Sequence, residues 1–373
     1  MRQHFYKNNM RFVDKIFAID YFLVFLVLIL GVISIFSMYS TEGGSFGYYT
    51  QSHIYRLVTF FLFFLFFSFL NINFWHKISY IFYFSILILL LGVHFYGIAS
   101  SGSKRWISLI IFNLQPSEMM KVGIIIFLAR YYNKIPANDV NKIKFLILPI
   151  FILFIPLSLV AAQPDLGTAL LITMTGISVI FLAGFRLKYF FYSFIALICL
   201  APVGISFLKP YQKARILTFL SPENDPLGAG YQIIQSKIAV GSGGIFGKGF
   251  LKGSQNYLDY LPEKHTDFIF TLFSEQFGFI GSTILLIIYA LIIYRIIRIG
   301  MQTKNNFSRL FCFGFATSFF IFVTVNMSMV LGLLPIVGAP LPIMSYGGSS
   351  LLSMLSGLGI VMSCKIHERE QIN

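Results

Sequence analysis

The sequence predicts an all-α polytopic membrane protein: ten transmembrane helices, with one large extracytoplasmic loop between helices 7 and 8. Three observations point there. Of the 373 residues, 57% are hydrophobic and only 11% are charged, against about 25% charged in a soluble domain. The apolar runs are about as long as the ~20 residues that carry a helix across a bilayer. Lysine and arginine concentrate in alternate connections, the pattern that orients membrane helices.

Within lipid every backbone polar group must be bonded inside its own element, which selects helices. They are expected at 16–38, 54–70, 77–97, 118–133, 145–162, 166–185, 189–208, 267–294, 310–333 and 342–363. The block 54–97 is nearly continuous, interrupted only by Asn71-Ile72-Asn73 and Lys77. Gln163-Pro164-Asp165 divides the fifth helix from the sixth, because proline removes a donor from the ladder. The basic residues then fall 17 of 28 on one side, with both termini, and that side is cytoplasmic. The chain forms a single domain, 1–373, with the long loop 209–266 inside it. In that loop Tyr231–Val240 has an amphipathic helical pattern suited to lie on or dip into the membrane. A glycine cluster, Gly241 to Gly249, follows it.

Several function classes are excluded. The net charge of +14 is explained by topology and calls for no nucleic-acid partner. Cys199, Cys312 and Cys364 have no metal-ligand spacing. The glycine cluster lacks the G-x-x-x-x-G-K-[ST] order of a nucleotide-binding loop. No nucleophile elbow is present.

Ionisable groups at membrane depth are costly, so each is a candidate for function. Ser101-Gly102-Ser103-Lys104-Arg105-Trp106 precedes Gln115-Pro116-Ser117-Glu118-Met119-Met120-Lys121. Glu118 and Lys121, three apart, share a helix face. Glu118 can serve the helix dipole, whereas Lys121, a turn inside an apolar helix, can face a phosphate or pair with a carboxylate. Asp165 of Gln163-Pro164-Asp165-Leu166-Gly167-Thr168 can cap the next helix or belong to a site. The same two readings apply to Asp267, but Asp267, Thr271 and Ser274 recur at i, i+4 and i+7 with Glu275 beside them. A cap alone needs no such stripe. His265 can be an acid/base group, a ligand or a structural neighbour. Pro335 to Ser350 carries three prolines and no charge, so it is expected to be non-helical and to line a cavity.

These motifs resemble those of the SEDS family (shape, elongation, division and sporulation). The carriers are Leu261-Pro262-Glu263-Lys264-His265-Thr266-Asp267-Phe268-Ile269-Phe270 with Glu275 and Gly278, Gln163 to Thr168, Gln115 to Glu118 with Lys121, and Leu341-Pro342-Ile343-Met344-Ser345-Tyr346-Gly347-Gly348-Ser349. Arg215 to Leu220, Asp225 to Tyr231 and Ile234 to Ala239 resemble its elongation branch more than its division branch. Gln276 departs from the pattern, where a second acid is expected. The resemblance implies a peptidoglycan glycosyltransferase in the bacterial inner membrane that polymerises lipid II beside a class B penicillin-binding protein, a transpeptidase. It implies Asp267 as the catalytic residue and a divalent cation, Mg or Mn, as cofactor; the metal ligands are unknown. Lys121, Glu118, Lys104, Arg105, Lys264, Ser345 and Tyr346 are the expected substrate-binding residues. The rival readings are a lipid II flippase and a non-enzymatic scaffold of the wall-building complex.

Overall fold

A computed structural model describes residues 11–100, 103–109, 112–136, 138–206, 210–225, 228–253 and 263–371. Ser101-Gly102, Pro226-Leu227 and Leu261-Pro262 of the motifs above lie outside the described residues.

Each of the ten expected helices forms. A short α1 (Phe12–Phe17) leads into α2 (Tyr21–Thr41), α3 (Tyr48–Phe69) and α4 (Ile72–Tyr96). After a small sheet come α5 (Pro116–Asn133), α6 (Lys144–Ala162), α7 (Leu166–Leu182) and α8 (Leu187–Ser206). The loop contributes α9 (Pro210–Leu220) and α10 (Ala229–Ser242), and the chain closes with α11 (Ile269–Gln302), α12 (Asn306–Val330) and α13 (Gly348–Ile366). Among the described residues seven of these, α2, α3, α4, α6, α11, α12 and α13, are long and apolar enough to cross a membrane, and α7 and α8 are shorter apolar helices. The polar residues of α5 keep it from that group. It is instead enclosed by α4, α7, α12 and α13.

Helix starts follow local chemistry. The carboxylate of Asp20 accepts from Leu23 N at 3.0 Å, and Asn305 does the same for Ser308 N at 2.7 Å. Both are N-caps that satisfy an otherwise free donor. The last helix begins at Gly348 rather than near 342, because Pro342 to Gly347 form turns. The core is aromatic. Phe311, Phe315, Phe319 and Phe322 make one buried face of α12, at the spacing of a helical stripe.

Two features were absent from the expected architecture. Three short strands form an antiparallel sheet in the order β1 (Ile98–Ser100), β2 (Ser103–Leu109), β3 (Phe112–Leu114). It takes up the polar segment around Lys104 and Arg105, whose backbone cannot be left unpaired at the bilayer edge. The second is a break in α11 at Gly278 (φ 64°, ψ −160°). The glycine cluster closes it: Phe279 N donates to Gly244 O at 2.9 Å and Ile280 N to Ile245 O at 3.1 Å, while Lys248 N and Gly249 N donate to Glu275 O and Gln276 O, each at 3.0 Å. A β-carbon on Gly247 would fall 2.1 Å from Gln276 O, so only glycine allows this approach.

The amphipathic segment is also placed by the protein itself. Ile233, Ser236 and Ala239 of α10 are buried, and Ser236 Oγ bonds Thr271 Oγ1 at 2.9 Å and donates to Val330 O at 2.7 Å. The helix therefore packs on α11 and α12.

Candidate active site at the loop-bearing end

The molecule has two unlike ends. At one, the ends of α11 and α13 and the start of α4 are tied directly, with Lys304 N donating to Glu368 O and Asn71 Nδ2 to Glu370. At the other end meet the sheet, the Gln163–Asp165 turn, the loop helices, the turn 263–268 and the segment 335–347.

The turn before α11 carries Asp267. Thr266 N and Phe268 N both donate to Glu263 O, at 3.2 and 3.3 Å. The N-cap of α11 is Phe268 and no side chain caps it, so the capping reading of Asp267 does not hold. Among the described residues its carboxylate takes part in no hydrogen bond or ion pair. Its neighbour is backbone: a β-carbon on Gly338, whose φ is +73°, would stand 3.6 Å from Asp267 Oδ2. The carboxyl keeps a partly open face yet is crowded by protein. Desolvation foremost, then the charges of Glu263, Asp165 and Glu118, push its pKa up to about 7, with Arg215 working against them.

The other acids nearby are already engaged. Lys121 Nζ lies 2.6 Å from Glu118 Oε2 and 3.7 Å from the centre of the Phe322 ring. It is 1% exposed, a cation built into the bundle and not one offered to a phosphate. Asp165 caps α7, accepting from Thr168 N at 3.1 Å, and stands 3.5 Å from Arg105 Nη1. Arg105 also donates to the Pro164 carbonyl at 2.8 Å. The turn 163–168 then packs backbone to backbone on the segment 335–347, where a β-carbon on Gly167 would meet Val337 O at 2.1 Å.

Of the remaining expected residues, Lys104 is exposed on β2 and Lys264 is half-buried in the turn. Ser345 is buried and its Oγ accepts from Leu341 N at 2.8 Å, closing a turn. Tyr346 N donates to His265 O at 2.9 Å, and the Arg56 guanidinium covers its ring at 4.6 Å. His265 stacks on Tyr49 at 4.0 Å and bonds Thr41 Oγ1 at 2.8 Å, a structural placement. The polar stripe serves packing below Asp267: Thr271 holds α10, Ser274 Oγ donates to Phe270 O at 2.7 Å, and Glu275, fully buried, pairs with Lys248 at 2.6 Å. Gln276 donates to Ser40 Oγ. Beside the helix break lies a mostly apolar crevice of about 400 Å³ lined by Val240, Gly241, Phe270, Gly278 and Leu286.

Two residues stand outside the expected site set, although Arg215 opens one of the family-like motifs. Arg215 of α9 reaches the segment 335–347, with Nη1 3.4 Å from Ile336 O. Asn326 of α12 donates to both Asp267 O, at 3.0 Å, and Ala339 O, at 2.7 Å. The available signal for Asn326 was a lone amide in an apolar run.

The residues do not fit a protein-built metal centre. Among those described, no group of three or more His, Cys, Asp and Glu could hold an ion, and Glu118 and Asp165 face cations. Asp267 carries carboxylate oxygens without a partner among the described residues, which suits an ion that brings most of its ligands on a phosphate.

A helical bundle whose Asp267 carboxylate, among the described residues, has no partner beside the Lys121–Glu118 and Arg105–Asp165 pairs defines a membrane protein with a candidate active site at its loop-bearing end. Comparison with known proteins agrees on the family. A family model described as cell cycle protein, covering FtsW, RodA and SpoVE, matches residues 17–370. The chain is 43% identical over 290 residues to the peptidoglycan glycosyltransferase MrdB of Escherichia coli, covering 77% of each. It is 39% identical over 298 residues to stage V sporulation protein E of Bacillus subtilis, covering 79% of this chain and 80% of that one. A chain from a peptidoglycan synthase complex superposes with a TM-score of 0.81 at 29% identity, over 94% of this chain and 99% of that one. The rod shape determining protein RodA of Thermus thermophilus gives 0.69 at 26% identity, over 94% and 98%. The chain belongs to the FtsW/RodA/SpoVE family, the SEDS proteins.

Proposed function

We propose that the chain is a peptidoglycan glycosyltransferase of the bacterial inner membrane, polymerising lipid II into glycan strands for cell-wall elongation and rod shape. The observation that carries this reading is Asp267, an acid whose carboxylate has no partner among the described residues and whose pKa burial and neighbouring acids raise to about 7. A general base works best when its pKa lies near the working pH. The names of the curated relatives support the same activity.

The donor sugar is α-linked to a lipid pyrophosphate and the product is β-linked, so one inverting displacement suffices and needs one base. Asp267 accepts the proton of the acceptor 4-hydroxyl as that oxygen attacks the anomeric carbon. The pyrophosphate leaves with the bonding pair. Cations must meet that charge, and Arg215, which reaches the segment facing Asp267, can do so. Lys121 acts through Glu118 and Arg105 through Asp165, setting the field around the base. The apolar crevice beside α11 suits a hydrocarbon tail. A Mg or Mn ion carried on the pyrophosphate would add charge at the leaving group.

The loop-bearing end is extracytoplasmic and both termini are cytoplasmic in this reading, on the strength of the Lys and Arg distribution. The partner is a class B penicillin-binding protein transpeptidase, supported by the synthase complex among the structural relatives. A flippase would keep its polar groups near the midplane on broken helices. Here the one break in α11 has its backbone groups bonded by the loop. Incubating the purified protein with lipid II and a divalent metal, then resolving products on a gel, tests the reading. Glycan strands are expected; their absence, with lipid II moved across liposomes, supports the flippase instead.

A further inference from the structure

We infer that Asn326 is a positioning residue that locks the Asp267 turn to the segment 335–347, so that the base and the wall facing it move as one body. The inference rests on the glycosyltransferase reading for its effect on rate but not for its geometry.

The argument begins with unmet backbone groups. Asp267 precedes α11 by two residues, so its carbonyl lies outside the helical ladder. Ala339 sits between Gly338, at φ +73°, and Pro340, in a segment with no regular structure. Carbonyls at membrane depth that lack a donor are costly. A single side chain supplies both: Asn326 Nδ2 has two hydrogens, and they go to the Asp267 and Ala339 carbonyls. Because both acceptors are oxygens, only the amide nitrogen can occupy this place, which fixes the orientation of the side chain. Its Oδ1 is buried and, among the described residues, has no hydrogen-bond partner.

The two loops so joined are the ones that matter for the base. Gly338 is the backbone against Asp267 Oδ2, and Tyr346 N holds His265 O from the far end of the same segment. Asn326 projects from α12, whose Phe311, Phe315, Phe319 and Phe322 are anchored in the core. The fixed helix thus sets the distance between two loops that the Tyr346 N–His265 O bond joins at their far side. A shift of about 1 Å at a reacting group can lower a rate by about 10²-fold.

The test uses Asn326→Leu, close in size and free of hydrogen bonds, and Asn326→Asp, which keeps one donated bond while its carboxyl is protonated. Expected for Asn326→Leu in full-length purified protein is a fall in kcat of about 10²-fold with KM for lipid II within about twofold. Asn326→Asp should fall between that and the parent protein. Independently of any reaction, hydrogen exchange should speed up at the amides of Phe268, Leu341 and Tyr346 together in Asn326→Leu. Parent-like exchange at these amides overturns the inference whatever the chemistry. Parent-like kcat per folded molecule also overturns it. A parent protein inactive on lipid II, with exchange altered as expected in the variant, removes the functional reading and leaves the coupling standing.

Discussion

Asp20 and Asp267 pose the same problem to the chain and solve it in opposite ways. Each stands just before a long apolar helix, at opposite ends of the molecule. Asp20 caps α2 through Leu23 N and binds the Arg295 guanidinium, so its charge is met on every side. Asp267 caps nothing and, among the described residues, meets no donor. The difference teaches that an acid at a helix start is structural when its oxygens are engaged and available for chemistry when they are not.

The comparison can be broken most forcefully at Asp267. Asp267→Asn should lower kcat for lipid II polymerisation by about 10² to 10⁴-fold, the range for loss of a general base, read from glycan products. It should not unfold the protein. The folded state binds the Asp267 proton more tightly than the unfolded chain does, so its ionisation weakens the fold as pH rises from about 4 to about 7. Asn removes that penalty. Melting at pH 8 should therefore be at or above the parent value, with the gap closing toward pH 4.

Lys121→Met should behave as the opposite kind of change. It strands a buried Glu118 and should cost about 3 to 5 kcal/mol, measured as a drop in thermal midpoint; adding Glu118→Gln should restore most of it. If Lys121→Met melts like the parent, the pair is not the internal structure described above. Asp20→Asn keeps a good cap but strands Arg295, which is 21% exposed on its side chain. It should cost at most about 3 kcal/mol and leave kcat per folded molecule unchanged. The smallest effect is expected at exposed Arg215. Arg215→Gln should raise KM about tenfold, the weight of one bond to a charged group. It should also move the acidic limb of the pH profile upward, because Arg215 is the cation that opposes the rise in the Asp267 pKa. An unmoved limb would place Arg215 outside the site.

Much of this was legible in the sequence. Ten helices could be placed because hydropathy is a local property and bilayer thickness fixes their length. The polar clusters could be gathered at one end because alternate loops share a side. What was not legible depended on partners distant in the chain. Lys121 and Glu118 were seen as neighbours, but a spacing of three cannot tell a buried pair from a phosphate site. The stripe Thr271, Ser274, Glu275 argues in the sequence against Asp267 as a bare cap, yet it meets Ser236, its own helix and Lys248. The glycines of 241–249 matched no motif, because their role is to approach the backbone of a helix broken about 30 residues later. Asn326 carries no charge and so raised no alarm in a search for ionisable groups.

The central claim is that Asp267 is an unpaired base whose proton is held by burial and by neighbouring acids. The most direct measurement is the pH dependence of single-turnover glycan formation by the purified parent protein at saturating lipid II. The rate should rise with pH through a single ionisation near 7 and level off above it. A profile already flat from pH 5.5 upward would place the carboxylate in its ordinary range and contradict the account.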